Sequence, residues 1–172
     1  TVVAMLNDDM PFIIDSVTAY LTGQQLALHR LIHPVLRIER DAGGNLTDLK
    51  GATEDGGRAL ESCVLLEIDR CAGENLLLQL ERELNDILED VRAVTADWKP
   101  MMAQLAETVA LLQTEPPPGV PESESGEAVA FLNWMANNHF TFLGYREYTM
   151  ENNSEGDFHY HVTAKSGMGV LR

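Results

Sequence analysis

The chain has 172 residues, a net charge of −15 and a pI near 4.5, and 45% of its residues are hydrophobic. This length and apolar content favour a packed core and argue against a disordered chain. The acidic balance opposes phosphate backbones and anionic lipids, so we expect no nucleic-acid and no membrane partner. Cys63 and Cys71, the only cysteines, lack zinc or redox spacing, which favours reduced thiols in a cytoplasmic protein.

The first six predicted elements alternate as strand, helix, strand, strand, helix, strand. Strands are predicted from β-branched runs or period-two alternation, and helices from apolar residues three and four apart. The predicted ranges are 1–6 (strand), 11–23 (helix), 27–40 (strand, at an edge or bulged at Pro34), 62–70 (strand), 77–91 (helix) and 93–98 (strand). Between the second and third strands, the polar, Gly-rich stretch 45–59 is predicted as an exposed loop with room for a short return strand.

This order predicts an α+β fold. Each helix has one apolar face, and the strand 62–70 has a clear apolar row. The economical packing is a four-stranded antiparallel sheet with both helices on one face, the ferredoxin-like βαββαβ sandwich. Right-handed crossovers then place the first and third strands in the middle of the sheet.

The remaining residues predict a boundary and a second piece. A connecting helix is expected over 99–113, followed by a Pro-rich acidic linker over 114–127. Residues 128–172 are expected to begin a second α+β unit, with a helix and a β-hairpin, that is truncated. We therefore expect the chain to be an excised piece of a longer polypeptide.

The stretch "NDDMP", which includes Asn7, Asp8, Asp9 and Met10, precedes the first helix and is the candidate functional loop. The simplest interpretation is that an Asp caps the helix and that Pro11 lies in its first turn. A second interpretation adds recognition, because amides at a helix start attract a carboxylate and the two acids attract an ammonium group. An amino acid carries both charges, so these four residues are the candidate ligand-binding residues.

Several segments together resemble a known family. "DDMPFIIDSVTAYLTGQQLALH" resembles the opening of an ACT domain, and residues 1–98 are accordingly predicted as an ACT-like domain. "DMPFIIDSV", "IHPVLRIERDAGG", "ESCVLLEIDR", "HFTFLGYREY" and "GMGVLR" in this order resemble the amino-terminal region of the large bacterial NAD-dependent glutamate dehydrogenases. These segments extend over residues 8–172.

The resemblance implies a parent enzyme that oxidatively deaminates L-glutamate to 2-oxoglutarate with NAD, and whose catalytic domain lies elsewhere. No G-x-G-x-x-G follows a predicted strand, so no cofactor is expected in this fragment and no catalytic or cofactor-binding residue is assigned. ACT domains commonly bind amino acids and associate through their sheets. The expected partners are therefore other domains of the same chain, further copies that pair through a sheet edge or helices, and an amino-acid effector.

Two alternatives stay open: a structural assembly domain without a ligand, and a small metal-dependent enzyme using Asp8, Asp9 and histidines. The metal hypothesis needs convergent ligands, which the sequence does not show, so no metal site is assigned. His29 and His33 are four apart on a strand, about 13 Å, too far to share one ion without a bulge. His159 and His161 share a face but lack an evident third ligand.

Overall fold

The computed structural model describes residues 1–51, 59–152 and 158–172. It has two compact units, Thr1–Val91 and Arg92–Arg172. Both contain helices and antiparallel strand pairs, so the predicted α+β class is confirmed. No helix in the described ranges is long and apolar enough to cross a membrane. Residues 52–58 of the predicted loop 45–59 lie outside the described residues.

The first unit contains one antiparallel sheet. Its strands are β1 (Val2–Asp8), β2 (Leu28–Ile32), β3 (Val35–Arg40), β4 (Leu46–Gly51) and β5 (Ala59–Ile68). The long strand β5 pairs with β1 on one side and with both β2 and β3 on the other, and β4 extends the sheet beyond β3. The predicted central position of the strand 62–70 is therefore correct, and the chain adds the strand β4.

Pro34 divides the predicted strand 27–40 into β2 and β3. Proline has no N–H to give to a ladder, and the two halves pair with different parts of β5. The carbonyl of Pro34 still accepts a hydrogen bond of 3.0 Å from the Cys63 amide. The irregularity predicted at Pro34 is thus a break that leaves both halves in one sheet.

The core of the first unit lies on one face of the sheet. The inner row of β5 supplies Val64, Leu66 and Ile68, and the helix α1 (Ile13–Gly23) supplies a buried stripe three and four residues apart. One cluster contains these residues and the buried leucines of the second helix, namely Met5, Ile13, Val17, Leu21, Val64, Leu66, Ile68, Cys71, Leu80, Leu84, Leu88 and Val91. Full burial of each large apolar side chain stabilises the fold by about 1.5–3 kcal/mol.

The predicted fourth strand, 93–98, is wrong. The second helix, α2, is continuous over Glu74–Thr114 and includes that segment, the predicted connecting segment and Pro100. The buried positions Val91, Val94 and Met101 continue the spacing of the preceding leucines, and this 3.6-residue period outweighs an apparent alternation of six residues. Without a fourth strand, β1 lies at an edge of the described sheet and not in its middle.

The second unit contains a helix and short strand pairs. The helix α3 (Glu122–Trp134) begins within the stretch predicted as linker, because Pro121 occupies its N-cap and two glutamates in the first turn suit the positive helix end. The segment Met135–His139 follows, in which Asn137 and Asn138 depart from helical dihedral angles. The strands are β6 (Gly144–Tyr145), β7 (Tyr148–Asn152), β8 (Phe158–Val162) and β9 (Met168–Gly169), paired as β6 with β9 and β7 with β8.

Asp97 anchors the end of the second unit. Its Oδ2 accepts a hydrogen bond of 2.7 Å from the Gly169 amide, and its carboxylate binds the Arg172 guanidinium at 2.7 and 2.8 Å. These bonds, from Arg172 first and then Gly169, hold the pKa of Asp97 below its usual value. The side chain is therefore ionised at neutral pH and has a structural role.

Candidate functional site

The candidate loop follows β1 and precedes α1. The backbone of Asp9 continues the ladder by one bond, since its amide donates to the Leu60 carbonyl at 2.9 Å. The helix begins only at Ile13, so Met10, Pro11 and Phe12 form the connection. The loop is therefore anchored to the sheet at its start and to the helix at its end.

The side chain of Asp9 belongs to a hydrogen-bond chain across three segments. Its Oδ1 accepts a bond of 2.6 Å from the Ser62 hydroxyl, and His33 Nε2 lies 3.0 Å from the same hydroxyl oxygen. Ser62 has one hydroxyl proton, which goes to the carboxylate, so His33 must donate from Nε2. Ser62 is 1% exposed and is the middle residue of the Asp9–Ser62–His33 hydrogen-bond chain.

Neither Asp8 nor Asp9 caps the first helix, contrary to the simplest sequence interpretation. The N-cap residue is Phe12, and no side chain makes a capping hydrogen bond. Asp9 is fixed toward β5 by the Leu60 and Ser62 bonds, and three residues separate it from Ile13. Phe12 has φ of +71°, the left-handed region that non-glycine residues rarely adopt, so the backbone is strained there.

The other three candidate residues have different environments. The Asn7 amide group donates to the Asp8 carbonyl at 2.8 Å, which tightens the end of the strand. The Asp8 side chain is exposed, whereas Met10 is half-buried and packs against the core cluster. Of the four residues, Asp9 contacts the Ser62–His33 pair, Asp8 presents a charge to solvent, and Asn7 and Met10 support the loop.

Sequence reasoning missed Ser62 and His33 as neighbours of the loop. A signal for Ser62 was present, because it occupies the inner row of β5 with Val64, Leu66 and Ile68 and is the polar member of that row. A buried hydroxyl requires a partner. The identity of that partner follows only from the β1–β5 register, which sets Asn7 opposite Ser62.

The histidines of the sheet bind separate partners. His29 Nε2 lies 2.8 Å from Asp69 Oδ1, while His33 contacts Ser62. The amide of Ala27 and then the His29 ring lower the pKa of Asp69. Within the described ranges no group of three or more His, Cys, Asp or Glu residues is placed to hold a metal ion.

Comparison with known proteins gives consistent matches. Residues 1–84 match the family model described as glutamate dehydrogenase, ACT1 domain. The chain is similar to the NAD-specific glutamate dehydrogenase of Halomonas elongata, with 33% identity over 173 aligned positions. This alignment covers the whole chain and 11% of that enzyme. The chain is also similar to the NAD-specific glutamate dehydrogenase of Pseudomonas aeruginosa, with 36% identity over 157 aligned positions. This alignment covers 91% of the chain and 10% of that enzyme. The chain spans about a tenth of the length of these relatives, and the resemblance predicted from its sequence is confirmed.

Proposed function

We propose that the chain is a non-catalytic regulatory and assembly module of a large NAD-dependent glutamate dehydrogenase. The proposal is supported by the match of residues 1–84 to the glutamate dehydrogenase ACT1 domain model and by the two similar NAD-specific glutamate dehydrogenases. The parent would oxidatively deaminate L-glutamate to 2-oxoglutarate with NAD in the cytoplasm. The chemistry would reside in other domains of that polypeptide, which are this module's first partners. No residue of this chain is assigned to NAD or to the reacting substrate.

The proposed domain division is an ACT-like domain over 1–98, a connecting helix over 99–113, a Pro-rich acidic linker over 114–127 and the truncated start of a second α+β unit over 128–172. A ferredoxin-like arrangement of the first domain is part of the proposal. It is supported by the sheet, in which β5 pairs with β1 on one side and with β2 and β3, the two halves of one broken strand, on the other. One core cluster that includes residues of both helices supports it as well.

An amino-acid effector at the loop Asn7–Met10 is the regulatory part of the proposal. The supporting observation is the helix start, where α1 lacks a side-chain cap and Phe12 is strained. First-turn amides attract a carboxylate, and the exposed Asp8 side chain nearby in sequence attracts an ammonium group. Backbone strain is retained where the surrounding structure or a function requires it.

Calorimetric titration with each of the twenty amino acids tests the effector. We expect at least one to bind, and Asp8→Asn to weaken its affinity by about tenfold or more through loss of a charge-assisted bond. Glu122→Gln, which removes an exposed charge in the second unit, is the matched control and should leave affinity unchanged. An affinity that Asp8→Asn leaves unchanged would contradict a binding site at this loop.

A structural assembly domain without a ligand is the second candidate function. It is favoured by the contacts that already hold the loop, namely Asp9 to Ser62 and Met10 to the core cluster. It predicts no heat with any of the twenty amino acids, together with concentration-dependent association in analytical ultracentrifugation. A monomer that also binds none of them would contradict both candidates.

A further inference from the structure

A cavity of about 450 Å³ lies within the second unit, between the end of α2 and the start of α3. Leu112, Val120 and Val129 supply apolar walls, and Glu122 and Ser125 are polar lining residues. The volume is within the range of small-molecule sites, which combine apolar walls with a few polar groups. None of the lining residues belongs to the candidate loop that follows β1.

Ser125 carries a buried hydroxyl that lacks a hydrogen-bond partner. The residue is 8% exposed, and its Oγ makes no hydrogen bond with any group in the described part of the chain. A buried polar group without a partner destabilises a fold, and most such groups in folded proteins are satisfied. An alanine at this helical position would avoid the destabilisation, whereas a ligand in the cavity would supply the missing partner.

Gly126, the next residue of α3, adds space to the cavity that it lines. A Cβ added there would meet no neighbouring atom within 4 Å. Glycine inside a helix is less favourable than alanine. Glycine therefore occupies a position where alanine would fit, and its small size keeps the cavity open beside Ser125.

The charge around the cavity favours a cation. Residues 111–134 contain no lysine, arginine or histidine. They contain four glutamates, namely Glu115, Glu122, Glu124 and Glu127. The start of α3 carries a partial positive charge of about half a unit, which would favour an anion. Two of its amides, those of Glu124 and Ser125, already donate to the Pro121 carbonyl at 3.0 and 3.1 Å. Four full negative charges outweigh the partial charge, so an anionic ligand is disfavoured.

We propose that this cavity binds a small molecule with an aliphatic body and a primary ammonium group. The aliphatic body packs against Leu112, Val120 and Val129. The ammonium donates to Ser125 Oγ and to the Glu122 carboxylate, so the buried hydroxyl gains a partner and the ligand gains a counter-charge. An amine and an amino acid share this ammonium, but the carboxylate of an amino acid is repelled by the surrounding glutamates. The ligand is therefore an aliphatic amine, and its site is independent of the amino-acid effector proposed above.

NMR titration of the 172-residue protein with four ligands that share one branched chain tests the ligand class. The ligands are 3-methylbutylamine, leucine, 3-methylbutan-1-ol and 4-methylpentanoate. We expect 3-methylbutylamine to shift the amide resonances of residues 120–129 with saturation. Leucine and the alcohol should bind there about tenfold more weakly or less, and 4-methylpentanoate should not bind. No saturable shift with the amine, or an equal affinity for leucine or 4-methylpentanoate at these residues, would overturn the proposal.

Ser125→Ala tests the role of the buried hydroxyl. It should weaken the affinity for 3-methylbutylamine about tenfold, because a hydrogen bond to a charged group is lost. It should also raise the urea midpoint of the ligand-free protein, because the unpaired hydroxyl is removed. Ser123→Ala, at an exposed position that does not line the cavity, is the matched control and should leave the affinity unchanged. An amine affinity that Ser125→Ala leaves unchanged would overturn the site.

Two further variants separate this site from the candidate loop. Gly126→Leu keeps a good helix former and fills the cavity, so it should abolish amine binding while the protein stays folded. Asp8→Asn should leave the amine affinity unchanged, since Asp8 belongs to the loop that follows β1. Amine binding that Asp8→Asn abolishes and Gly126→Leu preserves would overturn the cavity site and place the ammonium at the loop.

Discussion

Replacing Ser62 with alanine tests the contact that anchors the candidate loop. The hydroxyl donates to Asp9 at 2.6 Å and accepts from His33 at 3.0 Å, and the residue is 1% exposed. A bond to a charged acceptor contributes about 1.5–3 kcal/mol and a neutral one about 0.5–1.5 kcal/mol. The side chains of Asp9 and His33 reach water and can be rehydrated, so we expect the free energy of unfolding to fall by about 2 kcal/mol.

Urea denaturation measures that loss, with Ser16→Ala in α1 as the control. Position 16 has helical surroundings that favour alanine, so its change should stay within about 0.5 kcal/mol. A double-mutant cycle with Asp9→Ala should give a coupling energy of about 1 kcal/mol or more. A coupling near zero would refute the hydrogen-bond chain, even if Ser62→Ala alone destabilised the protein.

Two further predictions concern contacts outside the loop. Asp97→Ala should destabilise the second unit by about 1–3 kcal/mol in urea, because the buried Gly169 amide loses its acceptor. Because folding lowers the pKa of Asp97, its carboxylate stabilises the fold fully above the unfolded-state pKa of about 3.9. This stabilisation is lost as the pH falls through the lower pKa of the folded state. Acid unfolding of the wild type and of Asp97→Ala would show this difference. Burial, and then the bond to Glu83, raises the pKa of Tyr20 to about 12. The free energy of unfolding of the wild type should therefore fall between about pH 10 and 12, and that of Tyr20→Phe should lack this fall. Urea denaturation at a series of alkaline pH values measures both, and the same pH dependence in the two proteins would contradict the prediction.

Local patterns were sufficient for some elements and misleading for others. The alternation in β5 and the helical spacing of Ile13, Val17 and Leu21 each persist long enough to identify their element. The segment 93–98 offered only six residues of alternation. Its Val94 also continues the buried stripe of α2, and a prediction made segment by segment missed that continuity.

The candidate site shows a different limit. The sequence correctly indicated a strand, a loop and a helix in this order. It ended the strand at Leu6 rather than Asp8 and began the helix at Pro11 rather than Ile13, and it did not indicate which partner Asp9 takes. Asp9 and Ser62 are 53 positions apart, and their meeting depends on strand order and register, which no local pattern contains. The capping prediction was wrong for the same reason, because the Asp9 carboxylate accepts a hydrogen bond from Ser62 of β5 and not from the first turn of α1.

Residue-resolved NMR titration of the 172-residue protein with the twenty amino acids tests the regulatory claim most directly. The account predicts that an effector shifts the amide resonances of Asn7–Met10 and of the first turn of α1, with saturation, and that Asp8→Asn abolishes these shifts. Saturable shifts confined to other surfaces of the protein would contradict the proposed site.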